Sequence, residues 1–214
     1  MSRRTQGMLG AGDAAVGGAA VDGGAVDGAG AGRGVAGPEV GARRVGLLAD
    51  LAANRTSDDP RRPGTAGVLP TVLTLRFAAA FLFRASALAG GVLPVLGSVL
   101  KQVNHLVTGA DIAWSARIGP GLVLWHPTGV VIGSGVVIGS GARLQQGITL
   151  GAARSRTGED GDPVLGDDVY VGAGARVLGP VRVGDRARIG ANAVVLRDVP
   201  DDASAVGVPA RVLG

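Results

Sequence analysis

From Asp111 onward, aliphatic residues return at every sixth position, and this period constrains the fold more than any other feature of the chain. Ile112, Ile118 and Leu124 are six apart, as are Ile132, Ile138, Leu144 and Leu150. Leu165, Val171, Val177, Val183, Ile189 and Val195 continue it, making thirteen positions in three frames. Glycine follows the aliphatic residue at 119, 133, 139, 151, 166, 172, 184 and 190. A small or apolar residue stands two positions before it, as at Val130, Ala142, Ala175 and Ala187. Six residues make one short strand and one turn. The aliphatic side chain points inward, and the residue two earlier shares its face because strand side chains alternate. The glycine is expected to supply the positive φ of a tight corner. Such units bury their faces only by stacking, so the pattern predicts a mainly β solenoid of parallel strands.

Composition supports that reading. The 214 residues include 39 glycines but only six aromatics, too few for a core of layered helices and sheets. The absence of cysteine excludes a disulfide scaffold, a thiolate metal site and a cysteine nucleophile, and it fits a reducing, cytoplasmic setting. The formal net charge is only +4, and Lys101 is the sole lysine among 21 basic residues. The arginines are scattered and no aromatic stacking set accompanies them, so nucleic acid is not an expected partner. A Walker-type phosphate loop needs Gly-Lys, and the one lysine follows Leu100.

Three regions are expected. Residues 1–44 form a segment dominated by Gly and Ala, 22 of 34 positions between Leu9 and Ala42, too poor in apolar surface to fold and read as disordered. Residues 45–110 form a helical segment, with helices over 71–89 and 92–108 broken at Gly90-Gly91. The uncharged run from Ala85 to Leu100 holds 16 residues and contains Gly90, Gly91 and Pro94, so no membrane span is expected. Residues 111–214 form the solenoid.

The repeat breaks twice. Leu124 and Ile132 are eight apart, so two extra residues bulge from the wall, and His126 sits there. Leu150 and Leu165 are fifteen apart, which extrudes a polar, Gly-rich loop from Gly151 to Pro163. A neutral imidazole is suited to remove a hydroxyl proton near pH 7. Asp111, fifteen residues earlier and slightly less than one coil away, can meet His126 on adjacent layers. The bland alternative makes His126 a polar turn residue and Asp111 a mere start to the helix. His105, in the apolar approach, is read as structural. Two isolated histidines without cysteine give no zinc site, and no metal is expected.

Residues 104–112 (NHLVTGADI), 125–133 (WHPTGVVIG), 146–151 (QGITLG) and 207–214 (GVPARVLG) resemble the hexapeptide-repeat acyltransferases, most closely the serine O-acetyltransferases. The resemblance covers roughly residues 92–214. A second likeness, to colanic-acid-type acetyltransferases, rests on residues 50–55 (DLAANR). The resemblance implies a left-handed parallel β-helix preceded by a short helical segment. It implies transfer of acetyl from acetyl-CoA to the serine hydroxyl, a step of cysteine biosynthesis, within a ternary complex. It assigns His126 as general base and Asp111 as its orienter. It implies a homotrimer with acetyl-CoA in the groove between neighbouring protomers, against Gly151, Ala152, Ala173 and Ala191, with Arg211 available for a phosphate. The repeat's own demand for small corner residues explains those four equally well. Arg211 is not required by the repeat.

Departures from the family bear on the acceptor. Trp125 stands where the family carries an aspartate, and Gly161-Asp162 where it carries Arg-His; those family positions bind the amino and carboxylate groups of serine. Trp125 and Asp162 are therefore the candidate acceptor-binding residues. Trp125 offers a stacking face for a sugar ring, or packs against a trimer neighbour. The short helical region leaves the family's hexameric contact in doubt, and the chain's end at Gly214 implies no complex with a sulfhydrylase. Three readings stay open: a serine O-acetyltransferase, the same chemistry on a sugar or other small hydroxyl metabolite, and a non-catalytic trimeric scaffold.

Overall fold

The computed structural model describes residues 42–55, 67–154, 158 and 160–213. The expected disordered segment therefore lies, except for residues 42–44, outside the described residues. Among the described residues four helices come first: α1 (Ala42–Arg55), α2 (Val68–Val72), α3 (Leu75–Gly90) and α4 (Pro94–Thr108). The single helix expected over 71–89 is split, because Thr74 adopts an extended conformation and its hydroxyl accepts from the Phe77 N–H, starting α3 afresh. Pro94 opens α4 and Gly109, at φ +76°, closes it. Gly97 of α4 lies directly on the backbone of Gly90, which in turn faces the Trp114 ring, so the two helices approach more closely than side chains would allow.

The chain then winds into a left-handed parallel β-helix with three walls. The first wall stacks Asp111–Ile112, Val131–Ile132, Thr149–Gly151, Arg176–Leu178 and Val194–Val195. The second stacks Arg117–Ile118, Val137–Ile138, Val164–Leu165 and Arg182–Val183. The third stacks Val123–Leu124, Arg143–Leu144, Tyr170–Val171, Arg188–Ile189 and Ser204–Val206, and Arg211–Leu213 folds back antiparallel on the last of these. All thirteen repeat aliphatics lie inside, none more than 4% exposed. They pair coil to coil in register, Ile132 with Leu150 and Val177 with Val195.

The glycines that follow them have a different role from the one expected. None of the eight has positive φ. The left-handed residues fall two positions later on the second-to-third corner, at Gly121, Gly141, Asp168 and Arg186. At Gly119, Gly139, Gly166, Gly172 and Gly184 the glycine serves close stacking instead, since a Cβ there would run into the backbone of the next coil, whereas one at Gly151 would meet nothing. A Cβ on Gly119 would lie 2.6 Å from the Gly139 carbonyl carbon, and one on Gly139 would lie 2.6 Å from that of Gly166. Successive coils are separated only by the strand spacing of about 4.8 Å, and at this corner the Cα turns its missing side chain straight at the next coil. Gly139→Ala is therefore expected to destabilise the fold by about 1–3 kcal/mol, read from the urea midpoint. Aspartates line the same corner. Asp167 Oδ1 accepts from the Ser140 N–H at 2.6 Å, Asp185 Oδ1 from Asp167 at 2.8 Å, and Asp201 Oδ1 from Asp185 at 2.9 Å.

The helices dock on the open edge of the first coil through one buried polar network. Arg84 of α3 forms a two-pronged pair with Asp50 of α1, at 2.8 and 3.1 Å. It also donates to the carbonyls of Ile118 and Gly119, each at 2.6 Å. Asp50 Oδ1 accepts from the Gly121 and Leu122 N–H groups at 2.8 Å, and Asn54 donates to the Leu122 carbonyl at 2.9 Å. The backbone groups that a preceding coil would have bonded are thus met by side chains.

Candidate active site

The corner leading from the third wall to the first recurs at residues 125–130, 145–148, 172–175 and 190–193. Its left-handed position is Gly129, Gly147, Gly174 and Asn192 in successive coils. Counting back from there, the first of these corners has four residues, Trp125 to Thr128, where the later ones have two. The predicted bulge is therefore real, and His126 is exposed on it. The corner stays in the stack: the Gly129 N–H donates to the Gly109 carbonyl at 2.9 Å, and Gly147 to that of Thr128 at 3.0 Å. Val131, which ends the bulge, pairs with Asp111. His126 and Asp111 thus occupy the same edge of the first wall on consecutive coils. Among the described residues the ion-pair partner of Asp111 is Lys101 of α4, its Nζ 2.5 Å from Oδ1, and no hydrogen bond is made by the His126 ring.

Trp125 is half-buried and its ring carries a cation: the Arg76 guanidinium of α3 lies 4.8 Å from the ring centroid. Arg76 is also hydrogen-bonded to the Asn54 carbonyl. One face of the indole is therefore occupied from within the chain. Asp162 lies at the far edge of the first wall, where the extruded loop returns to the second. The loop itself begins and ends as a short antiparallel pair, Ala153–Arg154 with Asp160–Gly161. The Asp162 carboxylate rests over Gly133 and Gly135, in space that a Cβ at Gly135 would occupy. Gly161 packs on Pro180.

The candidate cofactor residues fall in three places. Ala173 and Ala191 share the corner column of His126, two and three coils further on. Gly151 and Ala152 sit with Asp162 on the opposite edge of the wall. Arg211 opens the final strand, beside a concavity lined also by Arg197, Asp198 and Ala205. One chain thus presents His126, Asp111, Ala173 and Ala191 on one edge and Gly151, Ala152 and Asp162 on another. Among the described residues no group of three or more His, Cys, Asp or Glu is placed to hold a metal ion, and no helix is long and apolar enough to cross a membrane.

Sequence reasoning missed Lys101, Arg76 and the Asp50–Arg84 pair. Each contact joins residues of different elements, and no local spacing announces it. The solitary lysine was the one available signal.

Comparison with known proteins agrees with this architecture. The family described as bacterial transferase hexapeptide (six repeats) matches residues 162–197. The serine acetyltransferase of Synechococcus elongatus is 45% identical over 121 residues, 56% of this chain and 49% of the relative. That of Helicobacter pylori strain J99 is 45% identical over 118 residues, 55% of this chain and 68% of the relative. Among solved structures, Neisseria gonorrhoeae serine acetyltransferase aligns with a TM-score of 0.71 at 35% identity, over 80% of this chain and 66% of that one. Soybean serine acetyltransferase complexed with serine aligns with a TM-score of 0.71 at 36% identity, over 81% and 70%. A serine acetyltransferase complexed with CoA aligns with a TM-score of 0.70 at 32% identity, over 81% and 71%. The chain belongs to the serine acetyltransferase family of hexapeptide-repeat transferases. It spans about half the length of the curated relatives from Synechococcus elongatus and Mycobacterium tuberculosis.

Proposed function

We propose that the chain is an acetyl-CoA-dependent O-acetyltransferase that acylates the serine hydroxyl. The observation that carries the reading is the two-residue insertion that presents His126 on the edge shared with Asp111, in a chain similar to serine acetyltransferases solved with serine and with CoA. His126 accepts the hydroxyl proton as the oxygen attacks the thioester carbonyl. The C–S bond then breaks, CoA leaves as the thiolate, and the imidazolium returns the proton to sulfur. Asp111 accepts from Nδ1–H and so keeps Nε2 as the base. The reading includes a homotrimer, in which the His126 edge of one protomer meets the Gly151–Asp162 edge of the next and acetyl-CoA lies between them, its phosphates near Arg211. It places the reaction in the cytoplasm.

A second acceptor class, a sugar or another small hydroxyl metabolite, is favoured by Trp125 beside the base and by Gly161-Asp162 at the loop's end. Because Arg76 covers one face of the indole, a sugar ring stacked there would use the other.

The test is release of thiol from acetyl-CoA by the purified protein, with and without L-serine. The chain has no cysteine and adds no background to the thiol reagent. Serine-dependent release is the expected result. Acetyl-CoA binding without serine turnover would move the acceptor to the second class, and absence of binding would leave a non-catalytic scaffold.

A further inference from the structure

We propose that Lys101 is a positioning residue that holds the Asp111 carboxylate by one oxygen and leaves the other for His126. The role rests on the Asp111–His126 pairing proposed above. Lys101 is the only lysine beside twenty arginines. Its ammonium lies 2.5 Å from Asp111 Oδ1, with the two side chains 25% and 37% exposed. The contact is therefore half sheltered, unlike the exposed pair of Arg186 and Asp202. It also joins two elements, since α4 ends at Thr108 and Asp111 starts the first strand of the β-helix.

The choice of lysine has a geometric meaning that the molecule itself illustrates. Where an arginine meets a carboxylate at the foot of the helices, its fork takes both oxygens: Arg84 Nε bonds Asp50 Oδ2 and Nη2 bonds Oδ1. An ammonium is a compact point charge and engages one oxygen. At Asp111 that oxygen is Oδ1. Oδ2 is left to accept the Nδ1–H of an imidazole on the next coil, where the Gly129–Gly109 hydrogen bond and the Val131–Asp111 pairing already stack the His126 corner over this edge. Lys101 acts through Asp111 and touches neither substrate nor the transferred group.

The experiment compares wild type, K101M, K101R and D111A in full-length protein labelled with ¹⁵N-histidine, with H105N as background so that His126 is the sole signal. Imidazole ¹⁵N shifts, recorded with the ring neutral, report which nitrogen carries the proton, and this readout needs no acceptor. Wild type is expected to show the Nδ1–H tautomer of His126. D111A and K101M are expected to revert towards the Nε2–H form that predominates in an unconstrained histidine side chain. K101R is expected to revert as well while keeping the wild-type melting temperature, because its fork occupies both oxygens; a merely structural ion pair would survive this change. A wild-type tautomer in K101M with an altered one in D111A would overturn the role of Lys101 and spare the pair. An unchanged tautomer in D111A would remove the pair and the proposal with it. In the serine-dependent assay, K101M is expected to lower kcat about tenfold with KM within a factor of about two, and to cause no further loss in a D111A background. Equal losses in both backgrounds would count against coupling through Asp111.

Discussion

Alanine in place of His126 is expected to reduce serine-dependent CoA release by about 10²–10⁴-fold and to leave the melting temperature within a few degrees of wild type. The two halves of this expectation have separate causes. The imidazole is exposed on an inserted corner, and among the described residues it makes no hydrogen bond, so the fold loses little when it is removed. The backbone around it is held independently, by Gly129 to Gly109 and by Gly147 to Thr128. The chemistry, by contrast, loses its base, and Asp111 already bound to Lys101 is poorly placed to replace it. Steady-state thiol release and a thermal melt on the same preparation check both halves. Residual activity within a factor of about five of wild type would be too large for loss of a general base and would exclude His126 from that role.

Arg84→Met is expected to produce the largest loss of stability, about 3–5 kcal/mol, because it strands a charge at a fully buried position. Asp50 would keep its two backbone donors but lose its counter-ion, and the carbonyls of Ile118 and Gly119 would lose their donor. For a chain of this size the change corresponds to a fall in melting temperature on the order of 10 °C. Urea unfolding followed by circular dichroism measures it. A loss below about 1 kcal/mol would mean that water replaces the guanidinium at this edge, and that the helices are held chiefly by the apolar contacts of Phe77, Ala80 and Phe83.

The β-helix was legible in the sequence because its determinant is local and repeated. Each of thirteen positions states the same inward direction, and an error at one would have been outvoted by the rest. The bulge at His126 was legible for the same reason, as a departure from a count. The function of the glycines was not, because a missing Cβ serves equally for positive φ and for close stacking, and only the three-dimensional pitch of the coils separates the two. Asp168 and Arg186 carry the left-handed conformation without glycine and so gave no sign of it. The contacts between helices and β-helix were equally silent: Asp50 with Arg84, Arg76 with Trp125 and Lys101 with Asp111 are each an encounter of residues with unrelated spacing. The helix boundary at Thr74 depended on one side-chain hydrogen bond inside an apolar run.

The side-chain network at the foot of the first coil has a consequence for association. A row of parallel strands ends in unpaired amides and carbonyls, and such a row recruits any other strand that can lie along it. Here Asp50, Asn54 and Arg84 occupy the Gly121 and Leu122 donors and the Ile118, Gly119 and Leu122 acceptors, while at the other end Arg211–Leu213 runs antiparallel across the third wall. Detachment of α1 and α3 together, which carry Asp50, Asn54 and Arg84, would uncover the lower row without unwinding a single coil. Partial unfolding of this chain should therefore lead first to end-to-end fibres of intact β-helices, growing from the helical end, rather than to amorphous precipitate.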